Sequence, residues 1–470
     1  MTEEFKDLGG AASSNPNWFK RWVTSRLMSY IATENYLEKQ RAKAERARKK
    51  QGEAHRVHFF YQPDDAYSHL AAQLLPALIQ RYDIKLNCHL VSGAAGDNAP
   101  EPELLLQLAL RDSQAIAPHY GLAFPDQSEL PSNELIEQAG RQAAALLNQG
   151  KQEKSCEYLS AIGDALWRHD STGLAALEAS TGLVSKAELD ACIDEGNGLR
   201  HQWQHYSGAM FYYAGEWYWG VDRLYHLEAR LQALGLDRSP GQPMLAPRQT
   251  LPDPASADFE RDEQGQLTLE IFPSLRSPYT AIIYDRARQM ARDCGIKLIS
   301  RPVLPMVMRG VPATRQKGMY IFKDTAREAR AAGVPFGPFY DPIGQPVKQA
   351  YALYPWARSQ GKAEDFISAF LSAAFAQGIN TLPLSGLKTV VKQAGLDWNE
   401  AQSHLTDTDW KDELEDNRLA MYESGLWGVP SFRLLDANGQ TLLALWGQDR
   451  LWLFARGIQD HLKTLNTADD

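Results

Sequence analysis

The segment Trp446-Gly447-Gln448-Asp449-Arg450-Leu451 repeats a pattern that occurs earlier in the chain, at Trp219-Gly220-Val221-Asp222-Arg223-Leu224. A second match lies upstream, between Val57-His58-Phe59-Phe60-Tyr61 and Leu269-Glu270-Ile271-Phe272-Pro273. The separation between the copies is 212 residues at the upstream match and 227 at the closing motif, so the second copy contains 15 additional residues. Repeats this long indicate a duplicated domain rather than a solenoid of short units.

The composition is that of a globular protein of two or three domains, with 470 residues, 44% hydrophobic and 23% charged. The formal net charge of −9 argues against nucleic acid as a partner. No apolar run is long enough for a transmembrane segment, and the N-terminus lacks the features of a secretory signal. The four cysteines form no Cys-x-x-Cys pair, which favours a cytoplasmic location and argues against a disulfide framework.

The order of elements in the second copy predicts its fold. Alternating apolar residues at 267–271 predict a strand, which is followed by a helix at 278–293 and a second strand at 296–299. Residues 315–415 are mostly helical in pattern, and a hairpin at 430–445 precedes the last helix. The order βαβ, helical insertion, ββα predicts an α/β fold class with two thioredoxin-like domains, each a mixed sheet with a helical insertion, preceded by an N-terminal helix.

These patterns divide the chain into four predicted segments. They are an N-terminal tail and basic amphipathic helix (1–54, with 1–14 disordered), a degenerate thioredoxin-like domain (55–234), a Pro-rich linker (235–266) and a thioredoxin-like domain with the candidate active site (267–465).

The N-terminal segment carries apolar side chains at helical spacing from Phe19 to Ile31, and a Lys- and Arg-rich continuation from Lys39 to Lys50. Because aromatic stripes at this spacing are usually buried, we expect the apolar face to dock on the first domain and the basic end to be solvated. The alternative is that the helix binds an anionic membrane or another protein.

The residues that follow the first strand of the second copy point to thiol chemistry. Ser277 precedes the first helix, at the position where disulfide oxidoreductases place a cysteine whose thiolate the helix N-terminus stabilises. A hydroxyl cannot exchange disulfides, but it can donate a hydrogen bond to the thiolate of a small molecule. The simpler alternative is that Ser277-Pro278 is an N-cap followed by proline at the first helical position.

Three motifs of the second copy together resemble those of kappa-class glutathione transferases and 2-hydroxychromene-2-carboxylate isomerases, a branch of the DsbA-like thioredoxin superfamily. The resemblance covers residues 267–465 and, more weakly, 55–234, so that the chain resembles a tandem duplication of such a domain. The motifs are Ser277-Pro278-Tyr279-Thr280, Gly428-Val429-Pro430-Ser431 and Trp446-Gly447-Gln448-Asp449-Arg450-Leu451.

The resemblance implies a role for each matching residue. Ser277 would be the catalytic residue that stabilises the thiolate of glutathione. The family also uses an asparagine in the loop after the second strand, but residues 306–311 contain none. No metal site is predicted. Glutathione would bind to Val429, to Pro430 with a cis peptide bond, and to Gln448, Asp449 and Arg450, while Tyr279, Thr280, Trp427 and Trp446 would line a substrate pocket or pack in the core.

The leading interpretation is therefore an enzyme, a glutathione-dependent isomerase or transferase that acts on a small electrophilic, aromatic or unsaturated substrate. One alternative is a non-catalytic binding or assembly module with a DsbA-like fold. Another is a protein of the thiol-disulfide oxidoreductase type that lacks the Cys-x-x-Cys pair.

The first copy departs further from the family pattern, because Asp65 replaces the serine and the proline before the hairpin is missing. A carboxylate at that position would repel a thiolate, so we expect the first copy to be catalytically silent. Since single-domain relatives form dimers, we expect the two copies to form an intramolecular pseudo-dimer, with a homo-oligomer also possible.

Overall fold

The computed structural model describes residues 16–150 and 152–468, so the tail predicted to be disordered, residues 1–14, lies outside the described residues. The chain divides into two compact units, one of residues 38–249 and the other of residues 1–37 with 250–470. Each unit contains one of the two sequence copies.

Two helices precede the first sheet, α1 (Trp18–Ile31) and α2 (Glu34–Gln51). The first copy contains, in chain order, β1 (Arg56–Tyr61), α3 (Ala66–Gln73), α4 (Leu75–Arg81), β2 (Lys85–Leu90), α5 (Pro102–Ile116), α6 (Asn133–Asn148), α7 (Gln152–Trp167), α8 (Ser171–Thr181), α9 (Lys186–Gln202), β3 (Met210–Tyr213), β4 (Glu216–Trp219) and α10 (Leu224–Ala233). The second copy contains β5 (Thr268–Phe272), α11 (Pro278–Cys294), β6 (Lys297–Ser300), α12 (Arg315–Ala332), α13 (Gln345–Ser359), α14 (Ala363–Phe375), α15 (Leu384–Gln393), α16 (Trp398–Ala401), α17 (Trp410–Glu423), β7 (Ser431–Leu435), β8 (Thr441–Trp446) and α18 (Leu451–Ala468).

The two sheets have the same strand order, β2-β1-β3-β4 in the first copy and β6-β5-β7-β8 in the second. In each sheet the first strand is parallel to the strand that follows the crossover and antiparallel to the first strand of the hairpin. This confirms the predicted α/β class, with two mixed sheets and a helical insertion in each copy. The inward side chains of the central strands, such as Phe59 and Ile271, are fully buried.

The strand registers show where the 15 additional residues of the second copy lie. The hairpin runs from Met210 to Trp219 in the first copy and from Ser431 to Trp446 in the second. The separation between the copies is therefore 221 residues at the start of the hairpin and 227 at its end. Nine of the 15 additional residues thus lie in the helical insertion and six in the hairpin.

A matching hydrogen bond ties the crossover helix to the helical insertion in each copy. Tyr67 Oη donates to Asp112 Oδ2 at 2.6 Å, and Tyr279 Oη donates to Asp324 Oδ2 at 2.7 Å. Both residues of each pair keep the 212-residue separation, so the correspondence between the copies extends into the first long helix of the insertion.

The N-terminal segment differs from the prediction. It forms two helices, α1 and α2, separated by residues 32–33. The polar face of α1 packs on the unit that contains the second copy, where Arg21 Nη2 donates to Ile343 O at 2.8 Å and Asp341 N donates to Ser25 Oγ at 3.1 Å. The expected docking of the apolar face on the first domain is therefore wrong, because the aromatic side chains of that face are exposed.

A buried carboxylate joins the strands of the second sheet. Glu270 of β5 is 1% exposed and accepts hydrogen bonds from Arg301 Nε at 2.5 Å and from Arg433 Nε at 2.7 Å. At the positions 212 residues before Glu270 and Arg301, the first sheet has His58 and His89, whose ring nitrogens are 2.9 Å apart. Burial lowers the pKa of both histidines to about 4. At corresponding positions, the second sheet therefore has an ion-paired cluster and the first sheet has two neutral imidazole rings.

We predict that Glu270→Ala lowers the free energy of unfolding by about 3–5 kcal/mol, because it leaves two arginines without their shared carboxylate. Urea titration of the full chain measures this change. Glu263→Ala is the control, since the side chain of Glu263 is 82% exposed and its surface ion pair contributes about 0–1 kcal/mol. Equal effects of the two substitutions would contradict the assignment.

We also predict that the first copy loses stability as the pH falls from about 6.5 to about 4. In this range the unfolded chain protonates its histidines while the folded chain holds His58 and His89 neutral, so acid favours unfolding. Replacing both residues with phenylalanine should flatten the pH dependence of the urea midpoint. The exposed His201→Phe substitution should leave it unchanged, and an unaltered pH dependence in the double variant would refute the prediction.

Candidate functional site

Ser277 lies at the N-terminus of α11, where it follows β5 through a short loop. Its φ and ψ angles are −89° and 118°, and its Oγ accepts the amide N–H of Thr280 at 3.2 Å, so it is the N-cap of the helix. Pro278 occupies the first helical position, where a missing amide hydrogen costs nothing. The side chain of Ser277 is partly exposed. The hydroxyl therefore combines a structural role with access to solvent.

The loop before the hairpin lies against this hydroxyl. The Val429–Pro430 peptide bond is cis, and Ser277 Oγ donates to Val429 O at 3.4 Å. Pro430 is buried and Val429 is partly exposed. The structure thus brings together Ser277, Val429 and Pro430, which are about 150 residues apart in the sequence.

Two tryptophans, Trp427 and Trp446, pack at the loop that precedes the hairpin. A Cβ atom added to Gly428 would lie 2.5 Å from Trp446 Nε1, so only glycine allows this close approach. The ring centroids of Trp427 and Trp446 are 6.2 Å apart, and Trp427 is 5% exposed. Both indoles therefore pack at the loop, where Trp427 is buried in the core and Trp446 is partly exposed.

Lys317 of α12 also lies beside the loop, although no sequence motif indicates it. Its Nζ is 5.1 Å from the centroid of the Trp427 ring, and its side chain is buried. Burial lowers the pKa of Lys317 to about 8. A lysine in this setting is a candidate partner for an anionic group, and only tertiary packing could reveal it.

The remaining residues of the predicted pocket differ in their accessibility. Thr280 is fully buried, and its hydroxyl accepts the Ser274 N–H at 3.5 Å, so it closes the loop between β5 and α11. Tyr279 is partly exposed, with its hydroxyl bound to Asp324.

The three residues that precede α18 lie in a 3-10 turn. Gln448 is buried, and its side-chain amide donates to Glu328 Oε2 at 3.1 Å. Arg450 is buried as well, and its Nη1 donates to Asp449 O at 3.2 Å. The side chain of Asp449 is 18% exposed. Of the side chains in this turn, that of Asp449 is the one that reaches the surface.

A network of hydrogen bonds links the residue that precedes Ser277 to the N-terminal helix. Arg276, the preceding residue, binds both carboxylate oxygens of Asp341, at 2.9 and 3.0 Å. Asp341 O in turn accepts from Arg21 Nη1 of α1, and Asp341 N donates to Ser25 Oγ. Because Arg276 is fixed by two bonds of good geometry, its neighbour Ser277 is held in place from the side of α1.

In the first copy, Asp65 occupies the position equivalent to Ser277 and bonds to residues of the same copy. Asp65 caps α3 by accepting the Ser68 N–H at 3.1 Å, and it also accepts the Ser68 hydroxyl at 2.8 Å. Burial raises the pKa of Asp65 to about 6. Ala209 stands where the second copy has Pro430, and its N–H donates to Ser68 Oγ at 2.9 Å. A Cβ atom on Gly208, the residue equivalent to Val429, would lie 2.6 Å from Gln62 Oε1.

Of the four cysteines, Cys294 belongs to the second copy, and the other three belong to the first. Cys294 is at the opposite end of α11, and burial raises its pKa to about 11. Cys88 also has a raised pKa, with its hydrogen bond to Cys156 as the largest cause, and burial raises the pKa of Cys192. Within residues 16–150 and 152–468, no three His, Cys, Asp or Glu side chains are close enough to hold a metal ion.

Residues 268–459 match the family profile of the DSBA-like thioredoxin domain, so the second copy is a domain of this kind. No curated protein sequence matches the chain at a significant level.

Several solved structures are similar to this chain. A 2-hydroxychromene-2-carboxylate isomerase is 18% identical, with a TM-score of 0.36, and the match covers 43% of this chain and 99% of that one. A probable DsbA oxidoreductase from Streptomyces coelicolor is 17% identical, with a TM-score of 0.34, over 41% and 90% of the two chains. The cytosolic disulfide reductase DsbM from Pseudomonas aeruginosa is 17% identical, with a TM-score of 0.33, over 43% and 99%, and it has also been solved with GSH.

Proposed function

We propose that the second copy binds glutathione and uses its thiolate as the nucleophile of an isomerase or transferase reaction in the cytoplasm. The observation that carries the proposal is the partly exposed Ser277 hydroxyl at the N-terminus of α11, beside the backbone of Val429. A hydrogen-bond donor at a helix N-terminus stabilises an anion, and here no protein thiol occupies that position.

The hydrogen bonds of Ser277 leave its proton available. Its oxygen is held by the N–H of Thr280, whereas its own O–H makes a long bond of 3.4 Å to Val429 O. Turning the hydroxyl towards an incoming sulfur would give up only that weak bond. The bond to a thiolate would be charge-assisted and therefore stronger.

The backbone of Val429 and the basic side chain of Lys317 would bind the rest of the tripeptide. The backbone of Val429 lies beside the Ser277 hydroxyl and could pair with a peptide as an added strand does. Lys317 has its charge near the Trp427 ring and would interact with a carboxylate. Asp449, which reaches the surface at the start of α18, would interact with the ammonium group of the γ-glutamyl residue.

The reaction class follows from the origin of the nucleophile. A thiolate that adds to an electron-poor alkene or ring allows bond rotation before it leaves, which is isomerisation, or stays attached, which is transfer. A disulfide exchange reaction would need a protein thiolate, and the raised pKa values of Cys88, Cys192 and Cys294 oppose one. Small aromatic or unsaturated electrophiles are the proposed substrates.

We predict that the full chain binds glutathione in a calorimetric titration and lowers the pKa of its thiol, which the ultraviolet absorbance of the thiolate reports. In Ser277→Ala this pKa should rise by about 1–2 pH units, because a hydrogen bond to a charged group contributes about 1.5–3 kcal/mol.

The matched control is Asp65→Ala, which removes the equivalent cap of the first copy and should leave both the affinity and the thiol pKa unchanged. No binding at millimolar glutathione would refute the proposal and favour the non-catalytic module. Equal effects of the two substitutions would place the tripeptide elsewhere.

A further inference from the structure

The apolar face of α1 is an unusual surface for a globular protein. Among the described residues, the exposed large aromatic side chains all lie on this one helix. Trp18 is 73% exposed, and the rings of Trp18, Phe19 and Trp22 form a continuous group with centroid separations of 5.7 and 6.4 Å. Exposed apolar patches of this kind mark interaction sites. The exposed side chains of the face are Trp18, Phe19, Trp22, Val23, Leu27 and Tyr30.

The exposure of this face does not result from a loosely held helix. The opposite face of α1 is fixed by Arg21, which donates to Ile343 O, and by Ser29, whose Oγ accepts the Phe339 N–H at 2.9 Å. Arg330 Nη1 also donates to Ala32 O at 2.8 Å, just after the helix ends. Since these contacts use none of the exposed side chains, the aromatic face is presented to solvent by a fixed helix.

A basic stripe follows on α2. Its four side chains are exposed, are spaced three or four residues apart, and form no ion pair among the described residues. In contrast, Arg41 binds Glu216 at 2.8 Å and Arg48 binds Glu45 at 2.7 Å. Spacing of this kind places side chains along one face of a helix. The members of the stripe are Lys39, Lys43, Arg46 and Lys50.

The charge of the segment is opposite to that of the whole chain. Residues 18–51 contain ten Lys and Arg against three Glu, although the chain as a whole carries a formal charge of −9. Within α1 there is no acidic residue, and the Arg26 guanidinium lies 6.0 Å from the Trp22 ring. Tryptophan and tyrosine with flanking Lys and Arg are the side chains that settle at the headgroup level of a bilayer.

We propose that α1 binds, through its aromatic face, the surface of a membrane that contains anionic phospholipids, and that the basic side chains that follow α1 in the chain add electrostatic attraction to these lipids. The aromatic rings would enter the headgroup region, and the lysines and Arg46 would interact with the phosphate and carboxylate groups of the lipids. The contact would be peripheral, since no helix in the described part of the chain is long and apolar enough to cross a membrane.

Flotation of the full chain with lipid vesicles tests the proposal. We expect binding to vesicles of phosphatidylcholine with phosphatidylserine, at least about tenfold weaker binding to phosphatidylcholine alone, and weakening by salt. The double variant Phe19→Gln/Trp22→Gln, and the quadruple replacement of the basic stripe by glutamine, should each reduce the partition at least about tenfold. Unchanged thermal unfolding of each variant would exclude a folding defect.

The matched control lies on α15, which has an exposed leucine and two exposed lysines. The triple variant Leu384→Gln/Lys388→Gln/Lys392→Gln should float as the wild type does. Absence of binding to anionic vesicles, or an equal loss in this control, would overturn the proposal. So would light scattering that shows a wild-type dimer which the Phe19→Gln/Trp22→Gln variant dissociates, because the face would then be covered by a second copy of the chain.

Discussion

The cap of α11 is the interaction on which the second copy depends. Ser277 receives the Thr280 N–H, and three parts of the chain meet at this point: the end of β5, the loop that contains Pro430 and the segment around Asp341. An oxygen acceptor is required there because the first amides of a helix have no partner within it. The hydroxyl satisfies this demand and keeps one proton, which a carboxylate cap such as Asp65 does not.

The two copies show how one fold can hold different chemistry at the same positions. In the first copy the cap is a buried carboxylate, and the position of the cis proline is an alanine whose N–H is bound to Ser68. In the sheets, two neutral histidines of the first copy occupy the positions that correspond to a Glu and an Arg of the second. In the first copy the Asp65 carboxylate and the Ala209 N–H both bind Ser68, which supports a structural role for that copy.

Much of this architecture could be predicted from the sequence, because periodicity and repeat spacing depend on local order. The structure confirms the predicted bounds of the second copy's strands, of α11 and of the hairpin within one or two residues. It also confirms the cis bond before Pro430. The burial of Lys317 and Arg450 could not be predicted, since neither residue belongs to an apolar pattern and their surroundings come from distant elements.

The orientation of α1 was predicted wrongly for a physical reason. The prediction rested on the large apolar side chains, whereas α1 is held by other residues. Arg21 donates to Ile343 O, while Ser25 and Ser29 accept the N–H groups of Asp341 and Phe339. Met28 and Ala32 also pack in an apolar cluster of the second copy. Asp341 also binds the arginine next to Ser277. The N-terminal helix therefore presents its aromatic face outwards and also supports the candidate site.

The role of Ser277 can be tested by a crystal structure of the full chain with glutathione. We expect the sulfur to lie within hydrogen-bonding distance of Ser277 Oγ and the peptide backbone to pair with Val429. A tripeptide bound to the first copy, or a sulfur that does not contact the Ser277 hydroxyl, would contradict this role.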